Sequence, residues 1–84
     1  MNKKALLLLS EMLELASSEL SNNGCHDWHF PKSWSKKEKQ AFVKSFHEWN
    51  GDPEEYDPND LDLPDWAVAS YLSHLVKEMA NAAT

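Results

Sequence analysis

Arginine is absent from the 84 residues, and eight lysines stand against fourteen carboxylates, for a formal net charge of −6. Nucleic-acid binding draws its affinity from cationic groups on phosphates, with arginine the usual bidentate reader. The composition therefore argues against direct binding to a nucleic acid. A lone cysteine, Cys25, excludes an internal disulfide and suits a reducing compartment. Long apolar runs are missing too. Met1-Asn2-Lys3-Lys4 followed by Ala5–Leu9 imitates the start of a secretory signal, but Ser10 and Glu11 end the run after five residues. A signal needs roughly 7–15 apolar residues and a membrane span about 20, so the expectation is a soluble, cytoplasmic protein. No alternation of β-branched residues announces a strand.

What the chain does have is apolar side chains at 42%, rich in Leu, and nine aromatic rings, four of them Trp. That suffices for one thin core and a single helical domain over residues 1–84. From Lys3 to Ser21, Leu6, Leu9, Leu13, Ala16 and Leu20 recur in steps of three and four, with Ala5, Leu8, Met12 and Leu15 as an adjoining stripe. This predicts a helix with a broad apolar face, ended at Asn22-Asn23-Gly24 by a left-handed residue. Ser35 with Glu38 forms a capping box ahead of Phe42, Phe46 and Trp49, predicting a second helix over 36–49. A third opens at Pro64 or Asp65 and runs to about Ala80, with Val68, Tyr71, Leu72, Leu75, Val76 and Met79 inward and Ser70, Ser73, His74 and Lys77 outward. The fold expected is all-α: a small three-helix bundle with an ordered aromatic loop at 25–34 and an acidic turn segment between helices 2 and 3. Asp52-Pro53 and Asp57-Pro58 are two helix starts five residues apart; both cannot propagate, so short turns or single 3₁₀ turns are expected there.

Two clusters bear chemistry. Cys25, His26 and His29 offer metal or thiol chemistry, but structural zinc sites combine two paired clusters and only one is present. No cofactor is expected. The same Cys25 and a histidine lack an oxyanion hole and an orienting third group, so no catalytic residue is assigned and no enzyme activity is expected. The second cluster is anionic: Asp52, Glu54, Glu55, Asp57, Asp60, Asp62 and Asp65 place seven carboxylates in fourteen residues without one positive charge. Part of this is helix capping and solubility. Capping needs only three or four of them, and the rest could mimic backbone phosphates on a basic protein surface. Five lysines, Lys32, Lys36, Lys37, Lys39 and Lys44, gather on helix 2 and its approach, so the molecule should be electrically two-sided. Any tryptophan left exposed beside acids would mark a binding anchor, with Trp28, Trp49 and Trp66 the best candidates, and the sequence does not say which one.

The box Gly24-Cys25-His26-Asp27-Trp28-His29-Phe30-Pro31, with Trp34 and Asn50-Gly51-Asp52-Pro53, resembles stretches of short phage or prophage proteins. In size, acidity and lack of enzymatic motifs the chain is similar to phage-encoded anti-defence inhibitors of the anti-CRISPR type. That likeness implies a nucleic-acid-mimicking decoy acting in a host cytoplasm, and it carries over no site residue. The expected partner is a larger protein with a basic surface, bound through the seven acids with Trp49 and Trp66. A metal or thiol module at Cys25, His26 and His29, and a structural homodimer completed across the first helix, are the alternatives.

Overall fold

The computed structural model describes residues 2–24 and 26–82. It is all-α, with helices α1 (Lys3–Asn22), α2 (Lys36–Asn50) and α3 (Asp65–Ala82), and a 3₁₀ turn over Pro53–Glu55. Two compact units can be distinguished, Met1–His26 with Pro64–Thr84 and Asp27–Leu63.

The first unit is an antiparallel pair. Residue 10 of α1 meets residue 73 of α3 and residue 17 meets residue 66, seven steps up against seven down. The contact side of α1 is Leu6, Ser10, Leu13, Ser17 and Leu20, alternating leucine with serine at a coiled-coil spacing. Ser10 and Ser73 are almost fully buried. The Ser10 hydroxyl donates to the Ser73 carbonyl at 3.0 Å, the Ser73 hydroxyl donates to the Ser10 carbonyl at 2.8 Å, and the two oxygens lie 2.9 Å apart. Each hydroxyl thus has an acceptor on the other helix, which removes the cost of burying it. The Ser17 hydroxyl adds a bond to the Trp66 carbonyl at 2.9 Å. Opposite them α3 buries small residues, Ala69, Ser73 and Ala80, beside Ala67, Val68 and Tyr71.

This rotates both faces from those the periodicity predicts. Ser73, expected outward, is 2% exposed, and Met79, expected inward, is 59% exposed. On α1, Leu9 and Ala16 are exposed while Ser10 and Ser17 take the seam. The reason is steric: short side chains let helices approach closely, and a reciprocally bonded serine costs little in a core, which a hydropathy pattern does not register. The close of α1 at Asn22-Asn23-Gly24 agrees with expectation, whereas its N-cap had not been assigned from the sequence. Asn2 caps α1 by accepting the Ala5 N–H, and Asn23 closes it with both its N–H and side-chain amide on the Glu19 carbonyl, before Gly24 at φ +94°.

The second unit is built around α2. Ser35 and Glu38 form the capping box reciprocally, at 3.1 and 3.0 Å. Hydrogen bonds to the Glu38 carboxyl, first from the Ser35 backbone N–H and then from the Ser35 hydroxyl, hold it below the ordinary glutamate range. Gly51 ends the helix in the left-handed region at φ +83°. The expected aromatic loop is ordered by its rings. Phe30 stacks on Trp34 at 5.2 Å, and Phe42 from α2 meets both edge-on, at 5.6 and 5.9 Å. Val43, Phe46 and Leu63 form the buried centre.

Candidate functional site: an acidic turn and an aromatic cleft

Between α2 and Leu63 the chain makes three short reversals, and acids supply much of their bonding. Asp52 stands at the N-cap of the 3₁₀ turn but makes no cap bond there. Its carboxylate instead meets His47 Nδ1 at 3.2 Å and accepts from the Asn50 amide at 3.3 Å. The Asp57 carboxylate accepts the Asn59 N–H at 2.9 Å, and Asp60 accepts the Asp62 N–H at 3.3 Å, two Asx turns in succession. An isolated bridge pairs Asp57 with Asp60. Gln40 of α2 reaches the turn by donating its side-chain amide to the Pro58 carbonyl at 3.1 Å. Leu63 is buried and its carbonyl takes the Trp28 N–H at 2.8 Å. The acidic strip is therefore tied down along its length.

The seven carboxylates separate into two sets. Asp52, Asp57, Asp60 and Asp65 are engaged in local hydrogen bonds, Asp65 through the Trp66 N–H at 2.8 Å. Glu54, Glu55 and Asp62 are exposed and take no part in these side-chain bonds. Among the described residues, the ion pairs both involve histidine, His47 with Asp52 and His74 with Glu78. Among the described residues no lysine forms an ion pair with the carboxylates of the turn. Asp65 and Trp66 belong to the first unit, at the start of α3, and the other acids and Trp49 to the second.

Beside the turn lies an open cleft of about 380 Å³, lined by Trp28, His29, Phe30, Lys39, Asn59, Leu61 and Asp62. It has an aromatic wall, one cation, one anion and an amide, the mixture of apolar area and few polar groups that peptide side chains bind. Trp28 is 39% exposed, as is Trp49, and Trp66 is 36%. All three candidate tryptophans reach the surface. The sequence placed Lys39 in the basic patch of the second helix and not in this cleft, and Asn59 and Leu61 in no site at all. Lys39 had a signal, since it precedes Phe42, Val43 and Phe46 at helical spacing and so shares their side of α2. Asn59 and Leu61 had none, because their positions follow from the Asx turns.

His29 contributes to the cleft wall and His26 donates no side chain to it; the His26 carbonyl accepts the Asp65 N–H at 2.8 Å. Cys25 lies outside the described residues, and among those described no three His, Cys, Asp or Glu side chains gather as a metal site. No helix among them is long and apolar enough to cross a membrane. Comparison with known proteins finds no family model, no curated protein and no solved structure that matches the chain.

Proposed function

We propose that the chain is a small, non-enzymatic protein-binding module that sets its 52–62 turn and the adjoining Trp28–Phe30 cleft against a basic surface of a larger protein. The observation that supports this reading is the turn itself, six carboxylates on a backbone ordered by Asx and main-chain hydrogen bonds, with no lysine ion-paired to them among the described residues. An ordered array of anions loses little entropy on meeting a cationic surface, and the ring beside it supplies apolar contact. A partner surface that otherwise holds phosphates has the matching chemistry. Blocking that surface, as an anti-defence inhibitor would, is the corresponding biological role.

The test is titration with a Lys/Arg-rich peptide containing one aromatic residue, followed by amide NMR. Shifts should centre on residues 28–30 and 54–62, and affinity should fall as salt rises. Glu54→Lys, Glu55→Lys and Asp62→Lys combined leave the Asx carboxylates of Asp57 and Asp60 in place and should weaken binding at least about tenfold. Glu14→Lys, Glu48→Lys and Glu78→Lys combined make the same change in charge elsewhere. If both triple variants weaken binding equally, net charge and not this site is responsible, and the proposal falls.

A further inference from the structure

α1 carries a second seam that nothing in the fold uses. Leu6, Ser10, Leu13, Ser17 and Leu20 face α3, yet Leu8, Met12 and Leu15 repeat at the same three-and-four spacing nearly opposite, about 150° around the helix at 3.6 residues per turn. They are 60%, 57% and 62% exposed. A helix with one neighbour needs one apolar seam, and polar residues would serve on the other side. Leu9, 39% exposed, and the exposed Ala16 widen the second one.

The charges along α1 say what covers it. Its first turn has no acid and its last turn no base. Lys3 and Lys4 stand instead at the N-terminal end and Glu19 near the C-terminal end, each opposing the helix dipole. In an isolated helix this order is unfavourable. α3 runs antiparallel to α1, so its C-terminal end already answers the cationic end within the chain; what an antiparallel second copy adds is a carboxylate for Lys4 and an ammonium for Glu19. With the two-fold axis at Met12, Leu8 falls opposite Ala16 and Leu9 opposite Leu15, while Lys4 of each copy falls beside Glu19 of the other.

We infer that α1 is a self-association surface on which a second copy of this chain docks antiparallel through Leu8, Met12 and Leu15, with Lys4 and Glu19 paired at both ends. The contact is isologous, so it closes at two copies. A 20-residue helix is about 30 Å long and about 10 Å across, so the strip covers on the order of 300 Å² per chain. That is below the roughly 800 Å² per partner of a tight complex, and it places the dimer in the weak class, with dissociation in the range of about 10–300 µM.

Sedimentation equilibrium from about 5 µM to about 1 mM should show the mass rising from the 9.6 kDa monomer toward twice that value. Leu15→Glu, at an exposed position where helicity by circular dichroism should be unchanged, should keep the chain monomeric throughout. Lys4→Glu and Glu19→Lys should each weaken association about three- to tenfold, and the two together should restore it. A wild-type monomer at the highest concentration overturns the proposal, as does a dimer indifferent to Leu15→Glu. A double charge swap that fails to restore association overturns the antiparallel order. The acidic turn shares no residue with this face, so neither result bears on the peptide titration.

Discussion

The two units reach order by different means. In the α1–α3 pair, regular helices meet through small residues, and the seam is stitched by hydroxyls, Ser10 with Ser73 and Ser17 with the Trp66 carbonyl. In the 27–63 unit one helix organises a long irregular segment, and the stitching is done by rings and by Asx turns. Close backbone approach leaves little room for recognition groups inside the first. The second, needing bulky rings and many turn residues, leaves a cleft and a charged strip at its surface. Candidate function therefore gathers where the backbone is least regular, as is common for sites carried on loops.

The largest effect that would sharpen this contrast is expected from Phe46→Ala. Phe46 is 6% exposed at the centre of the ring-built unit, and its truncation should cost about 3–5 kcal/mol in urea unfolding. Amide protection should be lost mainly over 27–63; equal loss across α1 and α3 would break the comparison. Next comes Ser73→Leu, which forces a large side chain into a seam built for a small one and removes a buried hydrogen bond, for about 2–3 kcal/mol. Ser73→Ala should cost only about 1 kcal/mol, because the Ser10 hydroxyl keeps the Ser73 carbonyl as acceptor. Equal losses for the two variants would mean that the hydroxyl, and not the small volume, holds the helices together.

The smallest expected effect is at the start of α2. The folded-state Glu38 carboxyl lies below its unfolded value, so its contribution is present above the unfolded pKa and is lost as pH falls through the folded one. Glu38→Gln keeps an acceptor for the Ser35 N–H but cannot titrate. Helix content by circular dichroism should favour the wild type at about pH 7, and the two chains should converge once the pH has fallen through the folded-state value. A constant difference would remove the charge from the capping box.

The helices and their caps were legible because their signals are local. Ser35 with Glu38, Asn23 before Gly24, and the three-and-four spacing of leucines each act within a turn or two of the chain. Acids at residues 52–60 likewise announced short turns, and the 3₁₀ segment and the Asx turns are there. Trp28, Trp49 and Trp66 stood as candidates for an exposed ring, but which of them would be exposed was decided by the fold. What escaped was the rotation of each helix about its own axis. Hydropathy ranks Leu9 and Met79 above Ser10 and Ser73, but close packing rewarded the smaller side chains once their hydroxyls had acceptors across the seam.

Composition and spacing alone determined the helical class, the helix limits, the uncompensated anionic stretch and the lack of arginine, since these depend on neighbours in sequence and on charge. Tertiary structure decided which of two apolar stripes on α1 became core, which carboxylates were consumed by turns, and that Lys39, Asn59 and Leu61 would line one cleft. Those outcomes rest on contacts between residues far apart in the chain, where volume and hydrogen-bond geometry outweigh the hydropathy of any single position.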